Sequence, residues 1–390
     1  MSRAVLPENW QQSGFGLYIH WPFCAAKCPY CDFNSHVSAR IDQSRWRDAY
    51  IREIARAAEL TEGRVLSTVF FGGGTPSLMD GETVQAILDE VRRSWPVSND
   101  IEITLEANPT SVDAVRFGAY REAGVNRLSM GIQALNNDDL RLLGRLHSVE
   151  EAFSAFEIAR ATFSRVSFDL IYARQNQTLA DWESELRRAL DLAVDHLSLY
   201  QLTIEEGTAF GDRYSAGKLR GLPNDDLAAD MFEATQRITE SYGFHAYETS
   251  NHARSGEESR HNLIYWRYGD YLGIGPGAHG RLSFGPTRQA TEAFREPGKW
   301  LAAVSEHRRP EHPVQHLSQD DILAEMLLMG LRLREGVPVA RYLPLANEEI
   351  INNINELVED GLLVLAAETL TVSDEGRPLL NTILRKILGA

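Results

Sequence analysis

Residues 16–33 read GLYIHWPFCAAKCPYCDF, and the rest of the chain is organised around them. Leu17 to Trp21 alternates as a strand does and runs straight into a loop carrying Cys24, Cys28 and Cys31, the three cysteines of the sequence. A strand whose C-terminal end opens into reactive side chains is the arrangement that α/β barrels use for their sites. Thiolates spaced C-x3-C-x2-C can wrap one corner of an iron–sulfur cubane, because the short gaps let the backbone fold round a cluster and soft sulfur suits iron. Three ligands leave a fourth iron open to a small molecule that chelates through an amino group and a carboxylate. Three other readings compete. A structural zinc site would need Asp32 or His36 as fourth ligand, a disulfide would leave an odd thiol, and inert buried cysteines would not gather in one loop.

The strand-then-helix unit recurs downstream. Strands are predicted at Val65–Phe71, Ile101–Leu105, Arg127–Gly131, Val166–Ile171 and His196–Gln201, with helical spacing over Ile41–Leu60, Gly81–Arg93, Val112–Ala123 and Ala152–Ala161. Polar or glycine residues stand at the strand ends: Gly72-Gly73-Gly74-Thr75-Pro76-Ser77, then Glu106 with Asn108, then Gln133, and Asp169 within its strand. Six such units predict an α/β fold, a parallel sheet curved into a partial (β/α)6 TIM-like barrel over residues 15–252, although an open doubly wound sheet gives a similar pattern. Residues 1–14 read as a loosely held arm. From Ala253 the composition shifts to glycine and aromatics with little helical period, so residues 253–317 read as a connecting region with a Pro-bearing linker. Residues 318–390 follow as a helix over Asp320–Arg334, a helix over Glu348–Asp360, and strands at Leu362–Leu365 and Thr369–Val372, the order of a winged helix. Its usual implication is DNA binding, but this segment holds six Lys and Arg against twelve Asp and Glu, which favours a packing or docking module.

The totals agree. At 390 residues the chain can bury an ample core, and 43% hydrophobic content with a mean hydropathy of -0.29 describes a globular protein. A net charge of -16 argues against nucleic acid as a main partner. There is no run of about eighteen apolar residues and no apolar signal core in MSRAVLPENWQQSG, so no transmembrane segment is predicted and the expected location is the cytoplasm. Contact with a membrane would then run through a partner.

Taken singly, the strand-end residues say little. The glycines permit positive φ and close approach of a ligand to bare backbone, but also serve any tight turn. Glu106 can accept from ribose hydroxyls or can simply be solvated. Gln133, Arg145 and Asp169 gain meaning only as a set on one rim. Together, however, YIHWPFC-x3-C-x2-C, GGGTPS, LEANP, RLSMGIQ and FDLIY resemble the radical S-adenosylmethionine superfamily across nearly the whole chain. Within it they resemble the group of the oxygen-independent coproporphyrinogen oxidase HemN and its relative HemW. The resemblance implies a [4Fe-4S] cluster on Cys24, Cys28 and Cys31, with S-adenosylmethionine contacts near Tyr18, Tyr30, Gly74, Thr75, Glu106, Gln133, Arg145 and Asp169.

Three departures from the HemN pattern favour the HemW type. HemN-type enzymes carry a further cysteine two positions after the third, where this chain has Phe33. The cysteine loop begins 24 residues in, without the N-terminal extension that HemN places over its substrate. The run His261-Asn262-Leu263-Ile264-Tyr265-Trp266 matches HNxxYW, implicated in haem binding in HemW. Histidine is an axial haem ligand and aromatics can cover a macrocycle, yet a histidine beside aromatics is also a common hydrogen-bonded core residue. The resemblance implies a haem chaperone with haem as cargo, haem-accepting proteins such as respiratory enzymes as partners, and an electron donor for the cluster. The alternative is oxidative decarboxylation of coproporphyrinogen III. A local departure follows Tyr172, where ARQNQT replaces the Gly-Pro turn frequent in the family.

Overall fold

The computed structural model describes residues 9–389. Six strands, β1 (Phe15–Trp21), β2 (Leu66–Gly73), β3 (Val97–Ala107), β4 (Arg127–Gln133), β5 (Arg165–Tyr172) and β6 (His196–Gln201), lie parallel and in chain order. Leu17 pairs with Val69, Val69 with Ile103, Leu105 with Leu128, Leu128 with Val166 and Phe168 with Leu197. These runs are apolar on both faces, as a parallel sheet covered by crossover helices demands. Helices at Gln43–Glu59, Gly81–Ser94, Ala114–Ala123, Val149–Thr162 and Leu179–Leu192 supply the cover. Two of them start in capping boxes, Ser148 with Glu151 and Thr178 with Asp181, so their first turns are fixed by local sequence.

The segment after Ala253 is built into this sheet instead of linking it to something else. β7 (Asp270–Ile274) pairs parallel with β1 on the edge opposite β2, Leu17 opposite Leu272. β8 (His279–Phe284) and β9 (Thr287–Glu292) continue the sheet as an antiparallel hairpin. Gly273 is required here because a side chain would run into the carbonyl of His279 on the facing strand. Asp270 is fully buried and accepts from Arg64, from Arg288 at 2.9 Å, and from the backbone and hydroxyl of Ser283. A buried carboxylate tolerates that position only when its charge is matched in this way. The expected linker is therefore the seventh parallel strand and its hairpin, held by ion pairs between residues far apart in sequence. The expected loose arm also has structure where it is described: Asn9–Ser13 is a helical turn, and Trp10 packs against the main core beside the guanidinium of Arg64. Residues 1–8 of that arm lie outside the described residues.

The C-terminal part has a core of its own. Helices Gln319–Gly330, Glu348–Glu359 and Leu380–Leu388 enclose a small antiparallel sheet in which Thr369–Val372 lies between Val337–Pro338 and Leu363–Ala366. Tyr268 enters that core, stacks under Arg288 at 3.8 Å and donates to Glu325, which also pairs with Arg281. One aromatic side chain thus ties the module to the edge of the barrel sheet.

Candidate cofactor site at the barrel mouth

The C-terminal ends of β1 to β6 open on a cavity of about 540 Å³. Cys24, Cys28 and Cys31 line it on one side, and Gly74, Thr75, Glu106, Gln133, Arg145 and Asp169 line it on the others, with Tyr30. The glycine run explains how the cysteine loop is seated. A Cβ on Gly73 would fall 2.6 Å from the ring of His20, and one on Gly74 would fall 2.6 Å from the carbonyl oxygen of Phe23. Gly73 also takes φ +110°, which glycine adopts freely. The backbone N–H groups of Gly74 and Thr75 donate to Trp21 and Phe23, at 2.7 and 2.8 Å. These glycines therefore let the strand end and the cysteine loop touch, and Gly73, Gly74 and Thr75 stand at the cavity wall.

Around the thiols the donors are matched to negative sulfur. Thr75 Oγ1 lies 3.4 Å from Cys24 Sγ and donates to it, and an Nη of Arg145 reaches Cys28 Sγ at 3.5 Å. The other Nη of Arg145 holds the carbonyl of Gly131 at 2.7 Å, while its Nε is buried without a hydrogen-bond partner. All three cysteines are free thiols, which removes the disulfide alternative, and burial pushes the Cys24 and Cys31 thiols up. Among the described residues no group of three His, Cys, Asp or Glu side chains is arranged to hold one metal ion. A tetrahedral zinc would need its sulfurs about 3.8 Å apart, from a Zn–S bond of about 2.3 Å, whereas a four-iron cluster keeps each cysteine on its own iron. Three thiols facing a cavity with hydrogen-bond donors behind them fit a cluster that takes each cysteine on its own iron.

The carboxylates opposite are strained electrostatically. Burial, and then the charge of Asp169, push Glu106 up to about 8, against a backbone N–H from Gly73. Burial pushes Asp169 up to about 6, opposed by Ser198, Arg127 and Arg145. Two half-desolvated acids on one wall are prepared to accept hydrogen bonds from a polar ligand. Gln133 ends β4 with φ 75°, a left-handed conformation uncommon outside glycine, at a break in the β4–β5 register. Tyr18, by contrast, does not line the cavity. It lies beneath it, its hydroxyl 3.1 Å from His20 Nδ1 and its ring under Gly72.

The second motif is placed elsewhere. His261 sits on the helix Arg260–Trp266, fully buried, with Nδ1 2.7 Å from Thr68 Oγ1 and Nε2 2.7 Å from the Tyr265 hydroxyl. Its ring stacks on Phe70 at 5.1 Å, and its backbone N–H donates to the buried carboxylate of Glu102 at 3.0 Å. Burial pushes His261 down to about 3. Tyr265 packs edge-on against Tyr271, and Trp266 borders a smaller cavity of about 260 Å³ with Ser13, Met326 and Arg341. The cysteines are therefore not brought together with His261, Tyr265 and Trp266. Tyr200 and Ser250, at the far rim of the main cavity, had no motif to mark them; the signal available was only that Tyr200 stands next to last in a predicted strand. After Tyr172 the unusual loop closes with left-handed Ala173 and Asn176, and Arg174 is buried between Asp139 and Glu185.

Residues 18–189 match the Radical SAM superfamily and residues 317–379 match the HemN C-terminal domain. The heme chaperone HemW of Escherichia coli (strain K12) is 37% identical, over 95% of this chain and 97% of the relative. The chain belongs to the HemW family of radical SAM proteins. A mitochondrial relative from Danio rerio, named radical S-adenosyl methionine domain-containing protein 1, is 39% identical over 95% of this chain and 86% of its own length. Among solved structures, coproporphyrinogen III oxidase HemN from Escherichia coli superposes with a TM-score of 0.81 at 24% identity, covering 96% of this chain and 89% of that one, which establishes the shared fold. Membership of the HemW family implies a [4Fe-4S] cluster and S-adenosylmethionine. Among the described residues, no helix is long and apolar enough to cross a membrane.

Proposed function

We propose that this protein is a haem chaperone of the cytoplasm that holds a [4Fe-4S] cluster with S-adenosylmethionine, binds haem and passes it to acceptor proteins such as respiratory enzymes. The observation that carries this reading is the match to a heme chaperone along 95% of the chain. Phe33 supports it: where HemN-type enzymes have a further cysteine, this side chain is 58% exposed at the cavity wall.

Within this reading Cys24, Cys28 and Cys31 hold the cluster, and Arg145 and Thr75 stabilise its sulfur ligands through hydrogen bonds. When bound, such a cluster supplies the electron that cleaves the sulfonium C–S bond of S-adenosylmethionine. Glu106 and Asp169 accept from ribose hydroxyls, the Gln133 amide and the Gly74 backbone contact the polar ends of the molecule, and Tyr30 closes one side. His261 could ligate haem only after the hydrogen bond at the ligating nitrogen breaks, to Thr68 at Nδ1 or to Tyr265 at Nε2, so any haem contact of His261, Tyr265 or Trp266 would require the helix to open.

One anaerobic preparation tests the function. Iron and sulfide should each come to about four per chain, haemin should give a shifted Soret band, and coproporphyrinogen III with S-adenosylmethionine and reductant should remain unconverted. Protoporphyrinogen formation would instead assign the chain to the oxidase class.

A further inference from the structure

A second cavity, of about 560 Å³, lies on the outer side of the cysteine loop. Cys28 and Cys31 line both cavities, so the loop is the wall between them. The outer one is bordered by Lys27, Arg141 and Arg213, all exposed, with Pro29, Leu142 and Ala209 between them. No carboxylate lines it. In a chain with a net charge of -16, three cations without an acid on one concave surface run against the overall electrostatics. Arg141 pairs with Asp138 one turn earlier on its helix, but both side chains are solvated, so the guanidinium is cheaply redirected. Asp212 and Glu206 stand beside the mouth in sequence without lining it. Leu142, at the wall of this cavity, is 50% exposed.

From this arrangement we infer that the outer cavity is the haem-docking site, with the propionates held by Lys27, Arg141 and Arg213 and the macrocycle edge against Pro29 and Leu142. The inference rests on the chaperone reading and adds to it a location and a mode of recognition. The volume falls within the ~300–1,000 Å³ of ordinary cofactor pockets. A dianionic, otherwise apolar disc matches a cavity with apolar walls and a cationic lip. Exposed ion pairs hold weakly, which suits a carrier that must release its cargo, whereas an axial bond from a sealed histidine does not. Because Cys28 and Cys31 form the shared wall, docked haem also lies against the loop that carries the cluster.

The test uses the full-length, cluster-loaded protein, titrated anaerobically with haemin and followed at the Soret band. Arg141→Glu/Arg213→Glu should weaken haemin binding about tenfold or more, and added salt should weaken the wild type in the same direction. Haemin dimethyl ester, which lacks both carboxylates, provides a second measurement that needs no variant. The wild type should bind the ester about as weakly as the variant binds haemin. Equal affinity of the wild type for haemin and its ester, or unchanged haemin affinity in a variant that keeps its iron content, overturns the inference while leaving the chaperone reading intact. Unchanged haemin affinity with slowed reduction of the cluster by a small acidic redox protein would assign the cations to a protein partner instead. A wild type that binds no haemin at all would overturn the chaperone reading itself.

Discussion

The cysteine loop and the HNLIYW helix carry the two clearest motifs of this sequence, and they are built in opposite ways. The loop faces a cavity with thiols, acids and an arginine left partly unsatisfied, so its polar groups await a ligand. The histidine of the helix presents nothing: it is fully buried, bonded at both nitrogens and stacked on Phe70. The one unpartnered polar atom of the motif among the described residues is Trp266 Nε1, at the helix end. A motif marks residues that a fold depends on, and only the state of their polar groups tells binding from bracing. His261 connects Thr68 on β2, the Glu102 carboxylate on β3 and Tyr265 on its own helix, which makes it a bolt across the sheet.

The strongest way to break this contrast is His261→Ala. It removes two buried hydrogen bonds, strands the Thr68 hydroxyl and leaves a void, so unfolding in denaturant should show a loss of about 3 kcal/mol. Haemin affinity of the folded protein should not change. A stable variant that has lost its Soret shift would show that the helix opens to bind haem and that the sealed arrangement is one of two states.

The two regions also titrate in opposite directions. The folded-state value of Glu106 is raised from 4.5 to about 8, so the folded chain holds a proton that the unfolded chain releases, and its contribution to stability falls as pH rises through that window. The value of His261 is lowered from 6.5 to about 3, so its contribution falls as pH drops through that lower window. The cluster-free protein should therefore be most stable between the two limbs. Glu106→Gln should flatten the alkaline limb of a melting-temperature profile and leave the acid limb unchanged, and S-adenosylmethionine should then bind more weakly. A profile identical to that of the wild type would mean that the Glu106 carboxyl is solvated and outside the site.

Much of this was legible in the chain itself, for reasons that differ by residue. β6 is bounded as its alternation predicts, and the cavity wall follows from strand ends, because in a parallel barrel every polar residue at a C-terminal end reaches the same mouth. β7 was hidden. Its DYLGI core is short and interrupted by glycine, and what makes it a strand is pairing with β1 some 250 residues earlier together with the Asp270 ion pairs, none of which has a local signature. That Tyr18 stands outside the cavity lining was not legible, since alternation along β1 does not say which face meets the cavity.

The finest contrast lies between two left-handed residues. Gln133 and Ala173 take φ 75° and 57°, and each costs of order 1 kcal/mol relative to a glycine in the same conformation. Gln133 turns at the cavity wall, whereas Ala173 turns in the buried loop after β5. Glycine relieves the strain at either position but adds freedom to the unfolded chain, so Gln133→Gly and Ala173→Gly should each shift unfolding by less than about 1 kcal/mol. Only Gln133→Gly should weaken S-adenosylmethionine, by about tenfold for one lost side-chain hydrogen bond. Equal S-adenosylmethionine affinity in the two variants would mean that Gln133 makes no ligand contact and that its strain serves the register break between β4 and β5.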